Sequence, residues 1–217
     1  MVHVLLRHDG YNFYYMKIGP KYKIAKRLGA PIFEKTQTQK FELSLARGGR
    51  RVKRAGQASD YKKQMTEKQK MRFSYGITEK QLRRYVDEAV SKTGHQPVAV
   101  LMDRLESRLD NVIYRMGLAK TRRLARQIAS HGHICVNGKR MTIPSHRVKV
   151  GDEITIREGS RQTGLFIELS NTFDAARLPA WVTFDPKKHA GTVTQAPIYN
   201  PTETLFDPEQ VMEFYSR

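Results

Sequence analysis

Cysteine is almost absent from this sequence of 217 residues, because Cys135 is the only one. A single thiol cannot form an intramolecular disulfide, and it excludes a zinc site built from several cysteines. The sequence also lacks a run of about 20 apolar residues, the length that crosses a bilayer. Its first fifteen residues do not follow the pattern of a secretory signal, with a charged start, an apolar core and a cleavage site. We therefore expect a cytoplasmic protein with no membrane partner.

Acidic residues are scarce relative to basic ones. The chain has 21 Asp and Glu against 39 Lys and Arg, which gives a formal net charge of +18. The excess lies in residues 1–90, with 21 basic and 8 acidic groups, and in residues 91–160, with 13 and 6. Residues 161–217 carry only 5 basic and 7 acidic groups. Such a distribution predicts a polyanion-binding surface in the first two segments and a packing role for the last.

Residues 101–140 combine an apolar and a basic stripe at helical spacing. Apolar side chains recur every three or four residues from Leu101 to Met116, which predicts one helix with a buried face. Thr121 is the expected N-cap of a second helix that ends at Gly132. Ile134 and Val136 then alternate with polar neighbours up to Asn137-Gly138, a strong signal for a type I′ hairpin turn. A further strand is predicted to contain Ile154 and Ile156.

The polar faces of these two helices are candidates for RNA contacts. Side chains spaced by three and four residues share a helix face, and a guanidinium can donate two hydrogen bonds to one phosphate. The alternative is that the arginines pair with the nearby Asp103, Glu106 and Asp110. We favour RNA binding because further basic residues follow in the hairpin. The predicted RNA-binding residues here are Arg104, Arg108, Asn111, Arg115, Thr121, Arg122, Arg123, Arg126, Gln127, His131, Asn137, Lys139 and Arg140.

Basic residues also dominate the N-terminal third. Residues 47–54 hold five Lys and Arg with two glycines and little to bury, so we expect this segment to order on phosphate. A solvated charge run is the alternative. Asp60 can cap a helix that runs to about Tyr75, and Thr78 with Gln81 forms the capping-box pattern of the next helix. The predicted RNA-binding residues of this third are Arg47, Arg50, Arg51, Lys53, Arg54, Lys62, Lys63, Lys68, Lys70 and Arg72.

Metal binding and catalysis have weaker support. His131, His133 and Cys135 alternate along one strand, but three such ligands without a fourth do not follow any usual zinc spacing. The tripeptide Arg108-Leu109-Asp110 resembles the one that holds the catalytic aspartate of pseudouridine synthases. In those enzymes it lies in a separate domain after the RNA-binding module, and residues 167–217 are too few for such a domain. We predict no metal, no cofactor and no enzymatic activity.

Several segments resemble one family. LESRLDNVIYRMG and TRRLARQIASHGHICVNGKR are similar to the RNA-binding module of the small-subunit ribosomal protein S4 family. GPKYKIAKRLG, SDYKKQMTEKQKMRFSYGI and VMEFYSR resemble other parts of the bacterial or organellar members. The resemblance runs in order from Met16 to Arg217.

The resemblance implies an α+β fold. A mostly helical domain would be formed by the N- and C-terminal segments, with an inserted S4-type RNA-binding domain of two helices packed on a short antiparallel sheet. The predicted segments are an extension at 1–15, a basic arm and helical domain at 16–96, the RNA-binding domain at 97–166, and a segment at 167–217 that packs back on the helical domain.

The resemblance also implies a structural constituent of the small ribosomal subunit, bound to the ribosome in the cytoplasm or in an organelle matrix or stroma. Family members bind small-subunit rRNA at a junction in its 5′ domain, nucleate assembly and contact neighbouring small-subunit proteins. They also help to line the mRNA entry path, influence translational accuracy and, in some bacteria, repress their own mRNA. A free RNA-binding stress factor and an RNA-modifying enzyme with the same module are the alternatives.

The sequence departs from the family pattern in three places. The loop Ala55-Gly56-Gln57-Ala58 lacks the usual histidine, and the N-terminal cysteines that hold zinc in some relatives are missing. Met1–Tyr15 has no counterpart, which predicts an upstream start codon or a lineage-specific extension.

Overall fold

The structure is a computed structural model, and it describes residues 18–48, 59–167, 173–174, 178–200 and 204–217. The predicted extension at 1–15, the basic residues Arg50, Arg51, Lys53 and Arg54, and the loop at 55–58 lie outside the described residues. None of the helices in the described ranges is both long enough and apolar enough to span a membrane.

The described part of the chain combines helices with one antiparallel sheet. The helices are α1 (Lys21–Leu28), α2 (Gln39–Gly48), α3 (Asp60–Tyr75), α4 (Glu79–Ser91), α5 (Pro97–Glu106), α6 (Leu109–Arg115), α7 (Arg122–Ser130), α8 (Glu158–Arg161) and α9 (Pro208–Tyr215). The strands are β1 (Ile134–Val136), β2 (Lys139–Met141), β3 (Glu153–Ile156), β4 (Val182–Asp185) and β5 (Ala190–Val193). The predicted α+β class is confirmed.

Local sequence signals account for several of these boundaries. The hydroxyl of Thr78 accepts a hydrogen bond from the backbone N–H of Gln81 at the start of α4, and Thr121 caps α7 through Leu124 in the same way. Asn137 and Gly138 both have positive φ, 49° and 75°, as a type I′ turn requires. That turn joins β1 to β2 in the register Val136 to Lys139.

The prediction of one helix from Leu101 to Met116 is wrong, because two helices occupy this stretch. α5 ends at Glu106, and Arg108 has an extended backbone with ψ 139° before α6 begins. The break is held by the 146–148 segment: Val148 N–H donates to Ser107 O at 2.8 Å, and Leu109 N–H donates to His146 O at 2.9 Å. The apolar period continues across the break because each helix buries its own apolar face, so the pattern could not reveal it.

The two helices belong to different hydrophobic cores. Leu101 and Leu105 of α5 pack with apolar residues of α3, α4 and α9. Val112 and Ile113 of α6 pack instead with α7 and with the inner face of the sheet. The helical core and the sheet core therefore meet at residues 107–108, ten residues after the predicted boundary at 97. A smaller cluster around Phe41 joins α1 and α2 to α3.

The C-terminal segment divides between the two cores. The strand order is β2-β1-β3-β5-β4, and all neighbouring strands are antiparallel. The sheet core includes Trp181, Val182 and Val193. The hairpin of β4 and β5 therefore packs with the RNA-binding module, whereas residues 167–217 were expected to pack on the helical domain. The reason for this difference is that β3 would otherwise have an unpaired edge, and β5 covers that edge by pairing with it. α9 packs on the helices, chiefly α3, and Phe206 before it lies in the helical core.

We expect Gly191→Ala to lower the free energy of unfolding by about 1 to 3 kcal/mol, the usual effect of forcing atoms into a packed site. A Cβ on Gly191 of β5 would clash with the carbonyl oxygen of Thr183 and with the Phe184 ring. Gly159→Ala is the matched control, because a Cβ there meets no atom within 4 Å. Urea unfolding of both variants measures the effect, and equal stability would contradict the packing of β4 on β5.

Candidate nucleic-acid interface

Two buried carboxylates, those of Glu106 and Asp110, flank the break between α5 and α6. Each residue is only 4% exposed. A buried carboxylate must be paired and hydrogen-bonded to remain charged in the protein interior. Asp110 is bound by Arg126 of α7, and Glu106 by Tyr75 of the helical core, so the site joins the two cores of the molecule.

Asp110 is bound by two arginines. Arg108 donates from Nε to Oδ1 at 2.9 Å and from Nη2 to Oδ2 at 2.7 Å, a bidentate pair. Arg126 of α7 donates from Nε to Oδ2 at 3.0 Å, and its Nη2 lies 2.9 Å from the same oxygen in an ion pair. The remaining donors reach the helical core, since Arg108 Nη1 donates to Tyr85 Oη at 2.7 Å and Arg126 Nη1 to Gly76 O at 2.6 Å.

Glu106 has a separate set of partners. Arg115 donates from Nε to Oε2 at 2.8 Å and from Nη2 to Oε1 at 3.2 Å. Asn111 Nδ2 donates to Oε2 at 2.8 Å, and the Tyr75 hydroxyl donates to Oε1. Asn111 Oδ1 in turn accepts from Arg122 Nε at 2.8 Å. A continuous chain of hydrogen bonds thus runs from α3 through Glu106 to α7.

The charges of this network stabilise one another. Burial raises the pKa of Glu106, but the positive charge and hydrogen bonds of Arg115 outweigh burial and hold that pKa below its ordinary value. Burial and the neighbouring Glu106 charge raise the pKa of the Tyr75 hydroxyl. For Arg108, burial lowers the pKa and the Asp110 carboxylate raises it by more. The Glu106 carboxylate and the Arg108 guanidinium are therefore both ionised at neutral pH.

Arg122 connects the network to the surface. Its guanidinium lies 4.9 Å from the ring centre of Tyr75 and 4.5 Å from that of Tyr114, a cation–π arrangement with two rings. The carboxylate of Glu34, between α1 and α2, accepts a hydrogen bond from the Arg122 backbone N–H at 3.3 Å. Lys21 of α1 lies at the same small cavity as Arg122, Arg123 and Arg126. Lys21, which was not among the predicted RNA-binding residues, thereby adds a basic group from α1.

The predicted RNA-binding residues of the module fall into two groups. Arg108 and Asn111 are buried, and Arg104, Arg115, Arg122 and Arg126 are partly buried in contacts within the protein. The alternative that the sequence left open, pairing with nearby acidic residues, applies to Arg108, Arg115 and Arg126. Arg104 pairs with Glu88 of α4 at 3.0 Å. Thr121 is the N-cap of α7. The exposed predicted residues are Arg123, Gln127, His131, Asn137, Lys139 and Arg140.

The N-terminal predicted residues divide in the same way. Lys62 and Lys63 of α3 are exposed, as is Arg47 at the end of α2. Lys68 is buried, with its Nζ 2.8 Å from Glu79 and 4.2 Å from the ring centre of Phe214 in α9. Lys70 pairs with Glu67 at 2.7 Å, and Arg72 pairs with Glu79 at 3.4 Å. Phe214 of α9 is distant from α3 along the chain, whereas Glu67 and Glu79 lie within three to eleven residues of the basic residues they bind.

Two basic groups near the β1–β2 hairpin, His133 and Arg157, were not among the predicted RNA-binding residues. Arg157 follows β3 directly, and its side chain is exposed. In the described ranges no group of three His, Cys, Asp or Glu side chains could hold a metal ion. His133 Nδ1 lies 3.0 Å from Ser160 Oγ, and the free thiol of Cys135 is half-buried.

We expect Arg108→Ala to destabilise the protein by about 3 to 5 kcal/mol, because a buried carboxylate would lose a bidentate partner. Arg147→Ala is the control, since Arg147 pairs with Asp103 at 2.7 Å in a partly exposed pair, a type worth about 0 to 1 kcal/mol. Chemical unfolding monitored by circular dichroism would measure both. Equal small losses would contradict a structural role for Arg108.

We expect the stability advantage of the wild type over Glu106→Gln to shrink as the pH falls from 7 to 3. The pKa of Glu106 lies below its ordinary 4.5 in the folded state. Its ionised form therefore stabilises the fold above the unfolded pKa, and this stabilisation is lost as the pH falls through the folded pKa. Asp60→Asn, at an exposed pair with Lys63, is the control. If urea titrations show a constant difference in unfolding free energy between the wild type and Glu106→Gln across this pH range, the prediction is contradicted.

Comparisons with known proteins agree with this architecture. Residues 16–106 match the model of the ribosomal protein S4/S9 N-terminal domain, and residues 107–154 match that of the S4 domain. The small ribosomal subunit protein uS4 of Chromobacterium violaceum is 40% identical over 203 residues, which cover 92% of this chain and 98% of that protein. The uS4 proteins of Persephonella marina and Geobacillus thermodenitrificans are 41% and 40% identical, with the same coverage of both chains. The chain belongs to the family of the small ribosomal subunit protein uS4.

Proposed function

We propose that this chain is a structural constituent of the small ribosomal subunit, where it binds rRNA and catalyses no reaction. The observation that carries the proposal is the exposed basic surface of α7 and the β1–β2 hairpin, which belongs to an S4 domain. Relatives that align with nearly the whole chain bear the name of a small-subunit protein. A net charge of +18 supports a polyanionic partner.

In this proposal the exposed and the buried cations have different tasks. Exposed groups such as Arg123, Lys139 and Arg140 of the module, with Lys62 and Lys63 of α3, contact RNA phosphates directly. Buried groups such as Arg108 hold α6 and α7 against the helical core, so that the exposed groups keep their spacing. Recognition is chiefly of RNA shape and backbone, because the deep groove of an A-form helix admits few side chains.

The finer parts of the proposal rest on the family resemblance. They are binding to a junction in the 5′ domain of the rRNA, nucleation of small-subunit assembly, contacts with neighbouring small-subunit proteins, a place beside the mRNA entry path and an influence on translational accuracy. Binding to its own mRNA is a further proposal of this kind. In this proposal the protein acts on the ribosome, which lies in the cytoplasm of a bacterium.

The geometry gives little support to the enzymatic alternative. Asp110, the residue in the position of a catalytic aspartate, is 4% exposed, and both of its carboxylate oxygens accept hydrogen bonds from arginines. A carboxylate held in this way is not available to attack a nucleotide. A free RNA-binding stress factor would have the same module. Association with the small subunit is therefore the property that distinguishes a ribosomal protein from such a factor.

We expect the affinity for a transcript of the small-subunit rRNA 5′ domain to fall steeply with salt. If about six to ten phosphates are contacted, the loss between 50 and 200 mM salt should be roughly three to five decades by analogy with duplex DNA, and less for single strands. Filter binding across a salt series measures the slope. An affinity that does not change with salt would contradict binding through phosphates.

Matched variants and sedimentation complete this experiment. Joint replacement of Arg123 and Lys139 by Ala should weaken binding at least tenfold, because each charged hydrogen bond contributes about 1.5 to 3 kcal/mol. Joint replacement of Lys187 and Lys188, two exposed lysines after β4, removes the same charge and should have little effect. In a sucrose gradient the native protein should sediment with the small subunit. A protein that stays at the top of the gradient would favour the free stress factor.

A further inference from the structure

Three basic side chains meet where α7 turns into β1. The rings of His131 and His133 lie 6.0 Å apart, centre to centre. Arg140 of β2 lies against the turn that joins them, and its Nη2 donates to His131 O at 3.2 Å. Gly132 makes this approach possible, because a Cβ at that position would overlap the Arg140 guanidinium. The hairpin therefore brings an arginine directly over the turn between two histidines.

Arg157 reaches the same place from the other side. The buried hydroxyl of Ser160 lies 3.0 Å from His133 Nδ1, and Arg157 Nε donates to it at 3.4 Å. The Ser160 hydroxyl can donate its proton to His133 Nδ1, and in that tautomer the ring proton lies on Nε2. Nε2 has no hydrogen-bond partner within the described ranges, so it remains a donor for an outside ligand.

These cations differ from the arginines of α6 and α7 in lacking acidic partners. Arg108, Arg115 and Arg126 each form an ion pair with Glu106 or Asp110. Neither Arg140 nor Arg157 is ion-paired with a carboxylate of the described residues. Positive charge gathered without compensation is a favourable environment for a bound anion.

The protonation of His133 reflects this environment. Burial lowers its pKa below the ordinary 6.5, and the positive charges of His131, Arg157 and Arg140 lower the pKa further. These are the charged groups that face His133 from its own turn, from β2 and from the segment that enters α8, and none of them is acidic. The neutral ring therefore predominates at neutral pH in the free protein. The negative charge of a phosphate beside His133 would raise the pKa of the ring, against the effect of the neighbouring cations, and favour the imidazolium form.

We propose that His131, His133, Arg140 and Arg157 form one phosphate-binding site, which takes a backbone phosphodiester of bound RNA. This site rests on the proposed RNA-binding function and adds His133 and Arg157 to the interface. Both arginines donate to the phosphate oxygens, and His133 donates through Nε2. Because the bound phosphate favours protonated His133, RNA binding takes up a proton there and strengthens as the pH falls from about 8 to 6.

The first test uses the wild-type protein and needs no variant. The Cε1–H resonance of His133 is followed by NMR against pH, free and with saturating rRNA 5′-domain transcript, and we expect its pKa to rise by about one unit on binding. By linkage, a one-unit rise corresponds to a gain in affinity of up to tenfold across the titration. An unchanged His133 pKa in a formed complex would overturn this site and leave the proposed function intact. Absence of any complex would overturn both.

The second test compares variants by filter binding at pH 6 and pH 8. His133→Gln should remove most of the gain in affinity at pH 6, whereas His95→Gln, at an exposed histidine before α5, should retain it. Arg157→Ala should weaken binding roughly tenfold, and Lys188→Ala, which loses the same charge, should weaken it less than about twofold. Circular dichroism confirms that each variant is folded. Equal effects of Arg157→Ala and Lys188→Ala would show a general charge effect and overturn the site.

Discussion

The ion pair between Arg108 and Asp110 is the interaction on which the arrangement of this molecule depends. It lies at the break between α5 and α6, where the helical core and the sheet core meet, and its two side chains reach α4 and α7. A buried pair of this kind contributes little net stability compared with an apolar contact, but each member strongly requires the other. It therefore fixes an orientation between two cores more than it strengthens either one.

This constraint explains why a strongly basic protein uses several of its arginines internally. Glu106 and Asp110 bind Arg108, Arg115 and Arg126, and through Asn111 they position Arg122. The arginines brought together in this way would repel one another without the two carboxylates. With them, α7 is held so that its outer residues and the hairpin present exposed basic groups. Internal pairing and external binding are thus parts of one charge arrangement.

The sequence was informative where the cause was local and uninformative where the cause was distant. Capping by Thr78 and Thr121 and the turn at Asn137-Gly138 could be predicted, because the interacting atoms are a few residues apart. The break after Glu106 could not, because it depends on hydrogen bonds from residues 146–148. The division of the candidate site into paired and exposed cations was equally hidden. Helical spacing shows which side chains share a face, but not which neighbouring element covers that face.

The covering of β3 by β5 has a consequence for how the protein is made. The S4 domain matched by residues 107–154 includes the first half of β3, but β5, which pairs with the open edge of that strand, and Trp181 and Val182 of the sheet core come later in the chain. During synthesis the sheet cannot be completed until residue 193 has left the exit tunnel. Until then the nascent module has an unpaired strand edge and an incomplete apolar face, both of which favour association with other chains. Folding of this RNA-binding module therefore waits for the synthesis of residues 181–193.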